Sequence, residues 1–202
     1  MMDSITARRS SFVWALVALL LATAGAGGSL WLSMGMHLKA CPLCLYQRAF
    51  ILAAVGVLFV GMLTPIRGAS VLSLLTLPAA FGGLGVAGFH VFLELTGRLE
   101  CPSGLFGLGT APQQSLTVFV LLSISLAAGA LQGRKALTKR LSTTAAAVCL
   151  GLLFALGTVK AAPPMPAPPT KAYEQPLEIC RPPFVAENAE VGGRQKPSTQ
   201  ER

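Results

Sequence analysis

The sequence has little charge: only 12% of its 202 residues are charged, and only eight are Asp or Glu. Hydrophobic residues make up 53% of the chain and the mean hydropathy is +0.64. This composition argues against a soluble domain and favours a chain that crosses a membrane several times. The net charge of +8 includes no long basic run with interleaved aromatic residues, so we expect no nucleic-acid partner. Haem-attachment, phosphate-loop and serine-triad motifs are also missing.

Long uncharged runs are present instead. A helix of about 20 apolar residues crosses a hydrocarbon core of about 30 Å. We therefore predict an all-α, polytopic membrane helical bundle over residues 1–160, with spans at about 11–36, 45–66, 70–95, 115–132 and 141–160. Residues 161–202 are predicted to form an outer tail that begins with the proline-rich stretch AAPPMPAPPT and is disordered beyond Pro183.

Basic residues in the loops predict the orientation of the bundle. They precede the first span and lie between the second and third and between the fourth and fifth: Arg8, Arg9, Arg67, Arg134, Lys135, Lys139 and Arg140. Because basic loops stay in the cytoplasm, the N-terminus is predicted inside and the tail outside. A cleaved signal peptide over residues 1–26 is the alternative, although the apolar run continues past its possible cleavage site.

Four of the five cysteines fall on the outer side in this topology. Cys41 and Cys44 lie at the start of the second span, Cys101 lies between the third and fourth spans, and Cys180 lies in the tail. The outer side is the oxidising side, where disulfides persist. Cys149 falls in the middle of the fifth span, where we expect it to be a small, buried apolar residue.

The stretch CPLCLYQR, residues 41–48, combines a Cys-X-X-Cys pair with an arginine. Pro42 suits a first helical turn, where free backbone N–H groups and the helix dipole stabilise a thiolate. Arg48 lies four residues after Cys44 and shares its helix face, where it can stabilise the thiolate or hold an anionic or carbonyl group. The alternatives are an inert disulfide, a metal-binding pair for which only His37 is close in sequence, and an interfacial role for the arginine.

A second pair of ionisable residues lies near the outer end of the third span. His90 and Glu94 are four residues apart, and an ionisable residue at membrane depth is a candidate functional residue. His90 is predicted at about the depth of Arg48. A hydrogen bond from His90 to Glu94 within the helix is the alternative. We interpret Tyr46 and Gln47 as interfacial packing residues.

At CPLCLYQR the sequence resembles the DsbB family of disulfide-bond formation proteins, and the resemblance extends more loosely over the first four spans. It implies a bundle in the bacterial inner membrane, with the outer side facing the periplasm. It also implies oxidation of a periplasmic, DsbA-like thiol oxidase and electron transfer to the membrane quinone pool, ubiquinone or menaquinone. By this resemblance Cys44 faces the quinone and Cys41 is its partner. Arg48 lies beside the quinone ring, and His90 is a candidate for proton delivery.

The sequence also departs from the best-known members of that family. They have four helices and a long outer loop that carries two cysteines between the third and fourth spans. Here that loop is the short ECPSGLFGLGTAPQQS with Cys101 alone, and a fifth helix returns the chain to the outer side before Cys180. We infer that Cys101 and Cys180 replace the second pair, so that the catalytic residues are these two with Cys41 and Cys44. No metal site is expected.

Two other functions remain open from the sequence. One is a membrane thiol oxidoreductase similar to vitamin K epoxide reductase, which is also helical and has a Cys-X-X-Cys motif. The other is a non-catalytic scaffold or metal-binding membrane protein. The arginine after CPLC, and the place of the motif at the start of the second span, favour the DsbB-like interpretation.

Overall fold

Five long α-helices make up the structure, a computed structural model that describes residues 2–63, 68–132, 137–164, 169, 172–174 and 176–184. The helices are α1 (Met2–Met34), α2 (Pro42–Leu63), α3 (Ala69–Leu95), α4 (Ala111–Leu131) and α5 (Leu137–Ala161). A short 3-10 helix, Leu105–Gly107, lies between α3 and α4. Among the described residues, β-pairing is limited to two isolated bridges. The predicted all-α fold is confirmed.

Each helix contains a stretch that is long and apolar enough to cross a membrane: Arg9–Met34, Pro42–Leu63, Ala69–Leu95, Ala111–Leu131 and Leu141–Ala161. These five stretches indicate a multi-pass membrane protein. The second and fourth begin a few residues earlier than predicted from the apolar runs. Pro42 and Pro112 explain this difference, because a proline in the first turn has no N–H to leave unpaired and its φ angle suits the helix. The CPLC motif therefore opens α2, as expected from Pro42 in a first helical turn.

The first four helices form a closed bundle, in which each helix packs against the next and α4 packs back against α1. α5 lies outside this four-helix bundle and packs mainly against α3. Glycines permit these close approaches: a Cβ at Gly83 of α3 would collide with the ring of Phe119 on α4. A Cβ at Gly151 of α5 would lie 2.7 Å from the carbonyl oxygen of Pro78 on α3.

Only one face of α5 is covered by the bundle. Its Cys149 is exposed, so the expectation of a buried residue there was wrong. The reason is that α5 contacts mainly α3 and leaves its other side open, where large apolar side chains such as Leu153 and Leu156 are also exposed. An apolar outer face of this kind suits contact with lipid.

The candidate functional residues lie where α2 and α4 begin and α3 and α5 end, which we call the cysteine end of the bundle. The tail is docked there. Glu100 and Arg181 exchange two backbone hydrogen bonds, of 2.9 and 3.0 Å, and Lys39 N–H donates to the carbonyl oxygen of Glu178 at 2.8 Å. The segment that carries Cys180 thus lies against the bundle.

Some sequence predictions fall outside the described residues. The predicted disorder beyond Pro183 concerns mainly residues 185–202, which are not described. The basic loop residues Arg67, Arg134 and Lys135, on which the predicted orientation depends, are also outside the described part of the chain.

Candidate redox site

The first cysteine pair opens α2. Cys41 immediately precedes Pro42, and Cys44 lies in the first turn, so the helical geometry turns both sulfur atoms toward each other. The two Sγ atoms are 2.7 Å apart, and the backbone N–H of Cys44 donates to Cys41 Sγ at 3.2 Å. The side-chain hydrogen bond with Cys44, together with burial, raises the pKa of the Cys41 thiol. The pair is close enough to form a disulfide by losing two electrons and two protons.

The second pair joins the loop after α3 to the tail. A disulfide links Cys101 to Cys180 across 79 positions of sequence. Its two cysteines directly follow Glu100 and directly precede Arg181, the residues whose backbones pair, so the docked tail holds them side by side. The structure therefore contains the Cys101–Cys180 pairing that we inferred from the sequence.

The two pairs adjoin each other. Donor atoms of four side chains all lie within 4.8 Å of one another, and we call this group the four-donor cluster: Cys41, Cys44, His90 and Cys180. The sulfur of Cys180 is thus within 4.8 Å of both sulfurs of the CPLC motif. A small rotation of side chains is enough to bring sulfurs of the two pairs into contact.

His90 lies between the two pairs and is fully buried. Its Nε2 is 3.5 Å from Cys101 Sγ and 3.9 Å from Cys41 Sγ. Its Nδ1 is 3.2 Å from the amide nitrogen of Gln47 on α2. An amide N–H donated to Nδ1 leaves the ring hydrogen on Nε2, which faces the sulfurs. The imidazole can therefore donate a hydrogen bond to a thiolate of either pair.

Gln47 is a functional candidate that the sequence analysis missed. It is buried, so its interpretation as an interfacial packing residue was wrong, whereas Tyr46 does pack against the buried residues around the cysteines. A signal was available in the sequence, since Gln47 continues the four-residue spacing of the inward-facing Leu43 and Ile51. A glutamine within such a stripe needs a buried hydrogen-bond partner.

Glu94 does not pair with His90 in the structure. Its Oε2 accepts a hydrogen bond of 2.8 Å from the Thr110 hydroxyl, at the start of α4. The alternative of a hydrogen bond within α3 is therefore not observed, and Glu94 instead ties the end of α3 to the start of α4.

Arg48 is directed into the bundle and held by α1. Its Nε donates to Ser29 Oγ at 3.1 Å, and its Nη2 donates to the Ser29 carbonyl oxygen at 2.9 Å and to Ser33 Oγ at 2.7 Å. The two serines are four residues apart and share a face of α1. The sequence did not indicate this role, because isolated serines within an apolar run are common in membrane helices. The interfacial alternative for Arg48 does not describe this geometry.

Beside the first pair is a cavity of about 250 Å³ that Cys44, Gln47 and Arg48 line. Apolar side chains of α1 and α4, with Leu105 from the short 3-10 helix, form much of its remaining wall. An apolar cavity of about 150 Å³ holds a benzene ring in other proteins, so this one has room for a substituted six-membered ring. The wall thus combines a sulfur, a fixed cation and an apolar surface.

Comparison with known proteins points to one family. Residues 9–170 match the family model described as Disulfide bond formation protein DsbB. The chain is 33% and 32% identical over 76 residues to two curated proteins named Disulfide bond formation protein B 1, from Pseudomonas fluorescens strains Pf-5 and Pf0-1. Each match covers 37% of this chain and 45% of the relative, so the matched part spans less than half of each relative. No solved structure matches the chain.

The matched residues of the family model run from α1 through α5 and include the CPLC motif, Arg48, His90 and Cys101, while Cys180 lies beyond them. The match covers well over half of the chain. The chain therefore belongs to the DsbB family of disulfide bond formation proteins.

Proposed function

We propose that this protein is a membrane thiol:quinone oxidoreductase that reoxidises a periplasmic, DsbA-like thiol oxidase and so supports disulfide formation in secreted proteins. The observation that carries the proposal is the adjacency of the two cysteine pairs, with donor atoms of the four-donor cluster within 4.8 Å of one another beside the cavity at Cys44 and Arg48. Membership of the DsbB family supports the disulfide chemistry.

The first step is exchange with the partner protein. A thiolate of the reduced partner attacks the Cys101–Cys180 disulfide, and a second partner thiol resolves the mixed disulfide, so the partner loses two electrons and this pair gains them. Cys180 is half-buried and Cys101 is buried, so Cys180 is the accessible sulfur for attack. The leaving Cys101 thiolate then lies 3.5 Å from His90 Nε2, which is placed to stabilise it.

The second step transfers the electrons to the first pair. A thiolate of the outer pair attacks the Cys41–Cys44 disulfide to form a mixed disulfide, and the second thiol of the outer pair resolves it and re-forms the Cys101–Cys180 disulfide. Two electrons and two protons thus pass to the first pair, while the number of disulfides in the two pairs together stays the same. Cys180 Sγ lies within reach of both target sulfurs. His90 is near Cys41 as well as Cys101, so it can take part in proton movement between the pairs.

The cavity supports a quinone as the final acceptor. A quinone, when bound, accepts two electrons and two protons from the Cys41–Cys44 dithiol. The cavity is apolar and has room for its ring, and Arg48 offers N–H donors to a carbonyl oxygen. Ser29 and Ser33 hold the guanidinium in place before any ligand arrives, which removes the cost of ordering a long side chain.

The proposed function also implies where the protein is located. We place it in the bacterial inner membrane, with its N-terminus in the cytoplasm and its tail in the periplasm. The cysteine end then faces the oxidising compartment and the soluble partner. The basic residues that precede α1 and follow α4 in the sequence support this orientation.

The test is quinone reduction by the purified full-length protein in detergent, with a reduced thioredoxin-like oxidase as electron donor. We expect Cys44→Ser and Cys180→Ser to lose turnover with this donor. We expect Arg48→Ala to lower kcat/KM for quinone about 10- to 100-fold, since a hydrogen bond from a charged group contributes about 1.5–3 kcal/mol. Cys149→Ser is the matched control, because that cysteine is exposed on α5.

Different results would redirect the proposal. Full turnover in Cys44→Ser would contradict the relay. Full turnover in Cys180→Ser alone would keep the enzyme activity but remove the tail from it. Folded wild-type protein that reduces no quinone with any thiol donor would favour a non-catalytic scaffold.

A further inference from the structure

The donor atoms of the four-donor cluster also form a ligand set for a metal ion. The cluster brings three cysteine sulfurs and one imidazole nitrogen within 4.8 Å of one another. Three thiolates and one histidine are a standard ligand set for Zn²⁺. The sequence analysis found only His37 near the CPLC motif, whereas the fold supplies His90, which lies 49 residues after Cys41.

The distances suit a tetrahedral ion after small movements. With Zn–S bonds of about 2.3 Å and Zn–N bonds of about 2.0–2.1 Å, neighbouring donors in a tetrahedron lie roughly 3.5–3.8 Å apart. Here Cys41 Sγ lies 3.9 Å from His90 Nε2 and 2.7 Å from Cys44 Sγ, and no pair of donors exceeds 4.8 Å. Changes of about 1 Å, which side-chain rotation supplies, complete the geometry.

The surroundings of His90 also suit a ligand. Its Nε2 faces the sulfurs, while its Nδ1 is held by the Gln47 amide. Metal-bound histidines usually have their second ring nitrogen fixed in this way by an outer partner. An amide can serve either ring tautomer, because its oxygen accepts and its nitrogen donates. Arg48, on the cavity wall beside Cys44, supplies positive charge near a site in which three thiolates and Zn²⁺ sum to −1.

The oxidation state decides whether the site is complete. In the structure Cys180 is bonded to Cys101, so its sulfur is not available as a thiolate ligand. Reduction of this disulfide by a dithiol, which supplies two electrons and two protons, frees Cys180 beside the other three donors. Metal binding then releases three thiol protons and moves no electrons.

We propose that the fully reduced protein binds one Zn²⁺ ion at the four-donor cluster, and that the bound ion stops electron transfer until it is removed. Coordination to Zn²⁺ makes a thiolate a much poorer nucleophile toward a disulfide, and the first pair cannot close while both of its sulfurs hold the ion. Binding follows from the ligand geometry alone, whereas the block to electron transfer rests on the proposed function. The site would therefore make the enzyme sensitive to zinc when it is reduced and no electron acceptor is present.

Co²⁺ and Zn²⁺ binding to the full-length protein in quinone-free detergent tests the inference. The protein is first reduced with a phosphine under anaerobic conditions, and Co²⁺ is added as a spectroscopic probe. We expect thiolate-to-cobalt charge-transfer bands and the intense d–d bands of tetrahedral Co²⁺. Zn²⁺ should displace the cobalt, and elemental analysis should give one ion per reduced chain. Protein with the Cys101–Cys180 disulfide intact should lack this site.

Two cysteine variants form a matched pair for this test. Cys101→Ser and Cys180→Ser both abolish the disulfide, but only the second removes a ligand of the cluster. After reduction, Cys101→Ser should bind like the wild type, as should the Cys149→Ser control. Cys180→Ser and His90→Ala should bind at least about tenfold more weakly, since loss of an outer-shell partner alone costs about 10- to 100-fold in metal affinity.

Several outcomes would overturn the inference. Cys180→Ser that binds as tightly as Cys101→Ser would show that the tail cysteine is not a ligand. Equal binding by oxidised and reduced wild-type protein, or a non-tetrahedral cobalt spectrum, would also overturn it, and neither result depends on the folding of a variant. Quinone reduction measured without zinc on the same samples separates the two ideas. Normal turnover in protein that binds no metal would overturn the zinc site and leave the proposed function intact.

Discussion

The docking of the tail predicts how strongly the Cys101–Cys180 disulfide resists reduction. The clasp consists of Glu100, Arg181 and Tyr173: Arg181 Nε pairs with Glu100 Oε1 at 3.0 Å, and its guanidinium lies 3.7 Å from the centroid of the Tyr173 ring. The Tyr173 hydroxyl donates to the Pro182 carbonyl oxygen at 2.8 Å. Arg181→Met keeps the backbone pairing and a long side chain, but it removes the ion pair and the cation–π contact.

The size of the effect follows from these contacts. The side chains of Arg181 and Glu100 are 18% and 40% exposed, so their ion pair contributes no more than about 1 kcal/mol. The cation–π contact adds about 0.5–1 kcal/mol. Once the disulfide is reduced, these contacts keep the Cys180 segment against the bundle and set the effective concentration of one thiol for the other. A loss of about 1–2 kcal/mol lowers that concentration about 5- to 30-fold.

The measured quantity is the reduction potential of this pair. Since about 30 mV corresponds to 1.4 kcal/mol for a two-electron couple, Arg181→Met should make the potential about 20–40 mV less negative. The protein would carry Cys41→Ser and Cys44→Ser so that only this pair titrates. It would be equilibrated in glutathione buffers, acid-quenched, and alkylated with a mass tag to count free thiols.

Arg98→Met is the matched control, because Arg98 is an exposed arginine in the connection between α3 and α4. Its substitution changes the net charge equally but leaves the clasp in place. A shift in Arg181→Met no larger than the shift in Arg98→Met would refute the reasoning, and would mean that the backbone pairing alone holds Cys180.

Three further predictions concern the bundle and the first pair. Gln47→Leu removes the hydrogen-bond partner of the site histidine and should slow electron transfer between the cysteine pairs about 2- to 10-fold in stopped-flow measurements. In reduced protein, iodoacetamide should modify Cys44 before Cys41, and mass spectrometry can follow the order. The hydrogen bond with Cys44 and burial raise the pKa of the Cys41 thiol, so less of it is thiolate at neutral pH. Gly151→Ala should lower the free energy of unfolding by about 1–3 kcal/mol through overpacking, which a lower melting temperature in detergent would report. Gly157→Ala is the control: nothing lies within 4 Å of the new Cβ, so this change should be neutral or stabilising.

The spans and the grouping of the cysteines could be predicted from the sequence, because both depend on local properties. An uncharged run of sufficient length predicts a helix across the membrane, and basic loops predict its direction. The relation of Arg48 to Cys44 also follows from helical periodicity within a single element. Such predictions need no knowledge of how the helices pack.

The rest depends on packing between helices, which apolar sequence patterns encode poorly in a membrane. Lipid is as apolar as leucine, so hydrophobicity does not tell a lipid-facing position from a buried one, and Cys149 was assigned to the wrong environment for this reason. The contact of Gln47 with His90 depends on the register of α2 against α3. The hold of Ser29 on Arg48 likewise depends on the register of α1 against α2.

The fifth helix returns the chain to the cysteine end of the bundle, where the tail brings Cys180 to Cys101. The Cys101–Cys180 bond closes a loop across 79 positions that contains α4 and α5. In the unfolded chain, closing a loop of this size costs about 4–5 kcal/mol of entropy, so the bond can stabilise the fold by up to that amount and its reduction lowers the free energy of unfolding. The packing of α5 along α3 and the backbone pairing of the tail do not depend on the bond, so we expect both to hold Cys180 near Cys101 after reduction. Under the proposed function, the same pair can then re-form its disulfide after each transfer of electrons.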